Sequence, residues 1–177
     1  MNLQGMTEYL DSLEKRGIPS VDCIVYKDHE QIYRHMNGTT DVAKTKKVVG
    51  DELYLMFSMT KVQTMVCIMQ LVEQGKIDLE DEVGKYLPAY KSLTVMKGGE
   101  AVSATSPLKI KYLLSMQSGL DYNLERPGIV RVLKEKGNAA TTREIVDSFV
   151  ESPLIFEPGT HFEYSLSHDV AAAIIEV

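Results

Sequence analysis

The chain has 177 residues, of which 44% are apolar and 25% charged, and its 25 acidic and 19 basic side chains give a net charge of −6. This composition indicates a globular domain and excludes a disordered chain and a disulfide scaffold. It also argues against a nucleic-acid binder, since no basic stripe is available to neutralise phosphates.

The N-terminal third predicts one helix and several strands. The first ten residues lack the basic start and apolar core of a secretory signal, so we expect a cytoplasmic protein, with export still open if a leader has been removed. No segment reaches the apolar length of a membrane span. Apolar spacing predicts a helix over 7–16, ended by Gly17, and extended segments over 21–26, 31–36 and 53–57.

From Ser58 the pattern changes to helices. Residues 58–74 form one long predicted helix whose apolar positions cover nearly its whole circumference, which is typical of a buried helix. Thr141 and Glu144 have the spacing of a capping box at the start of a helix over 142–150. Shorter helices are predicted over 80–86, 106–116 and 169–177, and a surface loop over 91–105.

A Ser-x-x-Lys pattern begins at Ser12, at Ser58 and at Ser106, so the pattern alone carries little information. Ser12 lies on a short amphipathic helix and Ser106 precedes a proline at a helix start, so a solvated face and a helix cap explain them. Ser58 opens the helix that is predicted to be buried, which makes it either a helix cap or a nucleophile. Lys61 lies on the same face of that helix, one turn along.

The pair Ser58 and Lys61 has the chemistry of an activated nucleophile. A serine hydroxyl attacks when a neighbouring base accepts its proton. A lysine amine is such a base only when its pKa falls well below about 10.4, and burial and the positive end of a helix both act in that direction. The backbone N–H of Ser58 at the helix start can also stabilise an oxyanion. The alternative is a capped helix whose lysine reaches solvent.

A second polar cluster lies between an extended segment and the last helix, and it consists of Tyr164, Ser165, Ser167, His168 and Asp169. A tyrosine beside an ammonium group can take part in proton transfer, whereas the plain alternative is a capping segment with a half-buried tyrosine. A metal site built from His161, Glu163, His168 and Asp169 matches no zinc spacing. We therefore expect neither a metal nor an organic cofactor.

Four segments occur in a fixed order: LMFSMTK (55–61), GKIDLEDEVGKYLP (75–88), IKYLLSMQSGL (110–120) and PLIFEPGTHFEYS (153–165). They resemble the serine β-lactamase and penicillin-binding protein superfamily, in its class C β-lactamase-related branch, which includes esterases and D-amino-acid peptidases. Met116 stands where that family usually has histidine. The resemblance implies an α+β fold of the β-lactamase/transpeptidase type, in which antiparallel strands pack with a helical subdomain and the active site lies between them.

The resemblance implies a serine acyl hydrolase that forms an acyl-enzyme on Ser58, with Lys61 as general base and Tyr164, from a Y-x-N motif, as proton shuttle. Its substrate would be a small molecule with an ester, amide or β-lactam bond. Leu166 replaces the asparagine of the motif, which normally binds the substrate amide, and leucine cannot do so. Ser167 and His168 are the candidate replacements at this substrate-binding position. The loss of asparagine also favours an alternative, a non-catalytic, penicillin-binding-like ligand sensor.

The resemblance covers the N-terminal half of the family fold, since the third motif, K-T-G or H-x-G, does not occur after Tyr164. We expect residues 1–57 to supply a helix and early strands of an incomplete sheet, and residues 58–177 to supply the nucleophile helix and helical subdomain, together one partial domain. Exposed strand edges and an uncovered apolar face would favour association with another polypeptide. Little activity is expected from such a truncated piece, because its oxyanion hole lacks a second donor.

Overall fold

The computed structural model describes residues 3–177 and divides into two compact units, one ending at Met56 and the other spanning Phe57–Val177. The elements in chain order are α1 (Gln4–Ser12), β1 (Ser20–Lys27), β2 (Glu30–Gly38), α2 (Thr60–Glu73), β3 (Thr94–Lys97), β4 (Glu100–Ser103), α3 (Ile110–Leu114), α4 (Pro127–Lys136), α5 (Thr142–Ser148) and α6 (Ser167–Ile175). This mixture of helices and antiparallel strands confirms the predicted α+β class.

The first unit is built around an antiparallel hairpin. β1 pairs with β2 from Ser20, which lies opposite Gly38, to the turn that follows Lys27. An ion pair of 2.7 Å between Arg34 and Asp22 joins the two strands. The extended segment expected over 53–57 forms no β-strand, because among the described residues no partner strand offers it a hydrogen-bonded ladder.

The second unit packs its helices around one apolar core. α6 contacts α2, α3 and α5, while α4 packs against α5. Fully buried side chains at the centre of this core are those of Ile68, Leu87, Ile110, Leu113, Leu120 and Val170. None of the helices between residues 3 and 177 has the length and apolar character needed to traverse a lipid bilayer.

The second sheet is a short hairpin where a loop was expected. β3 and β4 pair in antiparallel register over residues 94–103, and Gly98 and Gly99 form the turn between them. Both glycines have a positive φ, 59° and 89°, which glycine adopts without strain. The prediction of a surface loop over 91–105 is therefore wrong, since adjacent glycines also permit a tight hairpin turn.

The start of α5 follows its capping signal, whereas α3 begins at Ile110, so the helix start expected at Ser106 is wrong. Thr141 and Glu144 form the predicted capping box, in which each residue's side chain accepts a hydrogen bond from the backbone N–H of the other. This confirms the start of α5. The expected helix over 80–86 reduces to one 3₁₀ turn, and α4 was not predicted.

The helix α2 is less buried than its sequence pattern indicated. Ile68 is the one buried residue of α2, whereas Val62 and Val66 are 67% and 52% exposed. Within the second unit, α6 packs against one face of α2. A helix that is apolar on all sides needs neighbours on all sides to be buried, so the expectation of a fully buried helix is wrong for the described unit.

Replacing Gly119 by alanine tests the tight turn that precedes Leu120. Gly119 has φ 84°, and an added Cβ would lie 2.3 Å from the carbonyl oxygen of Phe156. We expect Gly119→Ala to lower the free energy of unfolding by about 3 kcal/mol or more, measured by urea denaturation. The control is Gly98→Ala, which has a positive φ but no atom within 4 Å of the new Cβ, and it should cost about 1 kcal/mol. Equal losses would contradict the steric account.

Candidate active site

Ser58 lies in a 3₁₀ turn, Phe57–Met59, that leads directly into α2. The residue before it, Phe57, has φ 43°, a left-handed conformation that costs a non-glycine residue about 1–3 kcal/mol. Such strain is concentrated at sites where a particular side-chain direction is required. The turn places Ser58 at the helix start, where backbone N–H groups lack partners within the helix and the helix dipole is positive.

Two other polar groups contact the hydroxyl of Ser58. The Lys61 Nζ atom lies 3.5 Å from Ser58 Oγ, at the limit of a hydrogen bond. The Tyr164 hydroxyl lies 2.6 Å from the same oxygen and donates to it. The structure therefore brings Ser58, Lys61 and Tyr164 together around one oxygen atom.

Two aromatic rings surround the Lys61 ammonium group. Its Nζ atom lies 5.2 Å from the centre of the Tyr164 ring and 5.6 Å from that of Tyr122. The two rings contact each other at 5.5 Å. Lys61 itself is half-buried, so the aromatic faces replace part of the water around its ammonium and fix its direction.

Tyr164 is held by a segment that runs alongside residues 116–121. The Glu163 N–H donates to the Met116 carbonyl at 2.9 Å, and the Leu166 N–H donates to the Asp121 carbonyl at 3.2 Å. These two bonds flank Tyr164 in the sequence. The carboxylate of Asp121 is itself paired at 2.8 Å with Arg126, whose side chain is buried. The backbone on both sides of Tyr164 is thus fixed to a well-anchored loop.

The three predicted substrate-binding residues lie in different environments. Leu166 is 4% exposed and belongs to the core, and the Ser167 hydroxyl is fully buried among other serines. Neither side chain offers a surface to a ligand. His168 alone borders the open cleft beside Lys61. The physical reason is the start of α6, which turns residues 166 and 167 inward and leaves residue 168 at the edge.

The cleft beside Lys61 has a volume of about 360 Å³ and is lined by Phe57, Thr60, Lys61, Thr64, His168, Asp169 and Ala172. Burial lowers the pKa of His168, so its imidazole is neutral near pH 7. Displacement of water raises the pKa of the Asp169 carboxyl, and the nearby Lys61 charge opposes this effect. The cleft therefore combines one carboxylate with one ammonium group and two threonines.

The neighbours of Tyr164 change its acidity. A hydrogen bond with Ser58, and the Lys61 ammonium group after it, lower the pKa of the phenol below its ordinary value of 10.0. Both groups stabilise the phenolate form, because Ser58 can turn its proton toward the negative oxygen and Lys61 carries a positive charge. A phenol with a lowered pKa is better suited to exchange protons near neutral pH.

Sequence reasoning missed two residues of this site. Tyr122 supplies an aromatic wall for Lys61, and its signal in the sequence is its position two residues after the Ser-Gly-Leu segment that ends at Leu120. Phe57 contributes a strained backbone and one side of the cleft, for which no sequence signal exists. Among residues 3–177 no cluster of three or more His, Cys, Asp or Glu side chains is arranged to hold a metal ion.

Restoring the family asparagine at Leu166 tests whether this position faces a ligand. Because the side chain is packed in the core, we expect Leu166→Asn to destabilise the second unit by about 3–5 kcal/mol, through lost apolar contacts and an amide without partners. Urea unfolding followed by circular dichroism measures this loss. Leu124→Asn, at a position 59% exposed, should change stability by less than about 0.5 kcal/mol. A stable Leu166→Asn protein would show that residue 166 can turn toward solvent.

The titration of Tyr164 tests the contacts around Ser58. We expect its phenol to titrate below the ordinary value of 10.0, and Ser58→Ala or Lys61→Met to raise its pKa toward that value, because each change removes a group that stabilises the phenolate. Carbon-13 NMR of labelled tyrosine gives the values, with Tyr164→Phe assigning the signal. Lys109→Met, at a lysine that pairs with Glu80, should leave the Tyr164 titration unchanged. An ordinary Tyr164 pKa in the unmodified protein would refute the geometry.

Comparison with known sequences identifies the relatives of this chain. Residues 6–177 match the beta-lactamase family. An acyltransferase, calJ of Penicillium decumbens, is 31% identical over 153 residues, which cover 82% of this chain and 36% of that protein. The esterase EstB of Burkholderia gladioli is 28% identical over 171 residues, covering 93% of this chain and 42% of EstB.

Solved structures agree with the sequence comparison. EstCE1, described as a hydrolase with promiscuous acyltransferase activity, superposes with a TM-score of 0.78 at 26% identity, over 98% of this chain and 45% of EstCE1. The chain thus spans less than half of the length of these relatives. The resemblance drawn from the four ordered segments is confirmed, and the chain belongs to the beta-lactamase family.

Proposed function

We propose that this chain carries the nucleophile, the base and the proton shuttle of a serine acyl hydrolase. The supporting observation is the convergence on one oxygen atom, Ser58 Oγ, of the Lys61 amine and the Tyr164 hydroxyl. Two relatives are named an esterase and an acyltransferase. Both names describe the transfer of an acyl group, to water or to another acceptor. Three polar groups in contact at a helix start suit that chemistry.

Acylation begins with Ser58. Its oxygen forms a bond to the acyl carbon while the Lys61 amine, which has first released its extra proton to solvent, accepts the hydroxyl proton and the carbonyl electrons move onto the oxygen. The N–H of Ser58, at the positive end of α2, stabilises this oxyanion. When the bond to the leaving group breaks, Tyr164 delivers a proton to that group and recovers one from Lys61. Water then attacks the acyl carbon; Tyr164 accepts a proton from that water and passes its own proton to Lys61. Lys61 returns this proton to Ser58 as the bond between the acyl carbon and the Ser58 oxygen breaks and the acid leaves.

The substrate preference follows from Leu166. A β-lactam or peptide substrate presents an amide to the position of the family asparagine, and the core packing of Leu166 leaves no hydrogen-bonding group there. A simple ester makes no such demand. We therefore propose esters as preferred small-molecule substrates over β-lactams. The same feature supports the second candidate function, a ligand sensor that is acylated but does not turn over.

Acylation should be easier to detect than turnover. Within residues 3–177 we assign the oxyanion-donor role to the N–H of Ser58, and the loss of a single oxyanion donor costs about 10²–10³-fold in rate. Labelling by a reactive probe requires acylation of Ser58 but not the later hydrolysis of the acyl-enzyme. The probe therefore reports on Ser58 even when steady hydrolysis is slow.

Covalent labelling tests the proposal. The protein is incubated with a fluorophosphonate and, separately, with a fluorescent penicillin, and the adducts are mapped by mass spectrometry. We expect the fluorophosphonate on Ser58, no adduct in Ser58→Ala, and labelling at least about tenfold slower in Lys61→Ala, because a general base contributes about 10²–10⁴-fold. Hydrolysis of short-chain aryl esters without hydrolysis of cephalosporins would support the ester preference.

The chain contains its own control for the motif. Ser106 and Lys109 have the same spacing as Ser58 and Lys61, but Lys109 pairs with Glu80 at 3.0 Å. Ser106→Ala and Lys109→Ala should therefore label like the unmodified protein. Acylation by penicillin without release would favour the sensor, and a folded protein that reacts with neither probe would refute the hydrolase.

A further inference from the structure

We propose that the hydroxyls of Ser118, Ser167 and Ser165 form a hydrogen-bond chain of fixed direction that ends on the sulfur of Met116 and positions Tyr164 against Ser58. The inference rests on the proposed function and adds to it a set of positioning residues. None of the four side chains lines the cleft beside Lys61.

The chain of hydroxyls is continuous and shielded from water. Ser118 Oγ lies 2.7 Å from Ser167 Oγ, which lies 2.6 Å from Ser165 Oγ. Ser165 Oγ lies 3.7 Å from the Met116 sulfur. All three serines are fully buried. Since a buried hydroxyl without a partner is destabilising, this set is stable only when every member is paired.

The direction of the chain follows from counting protons. Each hydroxyl has one proton to donate, and a thioether has none, so Ser165 donates to Met116. Ser165 must then accept from Ser167, and Ser167 in turn from Ser118. The Leu120 N–H donates to Ser118 at 3.0 Å and begins the chain. Because one arrangement satisfies every group, the network resists slippage between its segments.

The backbone conformation of Met116 indicates that its surroundings hold it in place. Met116 has φ 56°, a left-handed conformation that is strained for a residue other than glycine, and it is buried. That backbone conformation persists because the surrounding contacts determine it. The same residue accepts the Glu163 N–H on its carbonyl, so Met116 holds the segment around Tyr164 through both its backbone and its sulfur.

The hydroxyl network reaches the residue next to Tyr164 in the sequence. That residue is Ser165, and the hydroxyl network joins Ser165 to the turn at Ser118. The Tyr164 side chain is 42% exposed, so packing alone does not fix its direction. The backbone must therefore aim the phenol at Ser58, and the buried hydroxyls hold that backbone against the loop that also carries Tyr122.

Removing the middle hydroxyl tests the proposal. We expect Ser167→Ala to slow fluorophosphonate labelling of Ser58 at least tenfold, to alter the pH dependence of that labelling, and to raise the pKa of Tyr164 toward its ordinary value, because the phenol loses its alignment with Ser58. Ser167→Thr, which keeps a hydroxyl, should recover most of both properties. The matched control is Ser115→Ala, an exposed serine in the neighbouring turn whose hydroxyl donates to the Lys111 carbonyl, and it should change neither property.

A second variant tests the same proposal in case Ser167→Ala does not fold. Met116→Leu keeps an apolar side chain of similar size but removes the acceptor for Ser165, so a folded protein with labelling slowed about threefold and a raised Tyr164 pKa is expected. Folded Ser167→Ala or Met116→Leu proteins with unchanged labelling and unchanged Tyr164 titration would overturn the proposal. The NMR titration separates the two hypotheses: absence of labelling in every protein refutes the hydrolase, while the Tyr164 pKa still reports on the hydroxyl chain.

Discussion

The contact between a phenol and a serine hydroxyl, at 2.6 Å, joins two parts of the second unit that are 106 residues apart in the chain. Everything assembled around it serves to keep Tyr164 and Ser58 at that distance. α2 supplies Lys61 one turn beyond Ser58, and the loop after α3 supplies Tyr122 against the same ammonium group. The site therefore depends less on any one strong interaction than on two segments being held in a fixed register.

Buried, satisfied polar groups contribute to that register. The buried Arg126 side chain pairs with Asp121 and donates to the Phe149 carbonyl, while the serine hydroxyls pair with one another. In a low-dielectric interior, an unpaired polar atom costs more than a hydrogen bond contributes, so such groups specify one arrangement over close alternatives. His168 Nδ1 and Asp147 Oδ1 are the buried side-chain atoms of the described residues that lack a partner, and His168 lies at the edge of the cleft.

Leu166 occupies the third position of the Y-x-N motif, where the resemblance to the family leads us to expect asparagine. The tyrosine of the motif keeps its place next to Ser58, while the third residue becomes part of the apolar core. A core leucine strengthens the packing of α6 but removes an amide from the site. The apolar face of α2 is a separate feature, since Val62 and Val66 lie at the surface of the second unit although the sequence pattern indicated burial.

The sequence alone determined the local features: the helix that follows Ser58, the capping box at Thr141, the extended segments that become β1 and β2, and the placement of Lys61 one turn from Ser58. These depend on spacing within a few residues, which periodicity and capping rules describe. The hairpin at Gly98 and the short helix α4 were missed because their sequences suit either loops or regular structure. Only the tertiary structure decided that Tyr164 and Tyr122 meet Lys61, that Leu166 and Ser167 turn inward, and which face of α2 is covered, because each of these depends on the packing of segments that are distant in the chain.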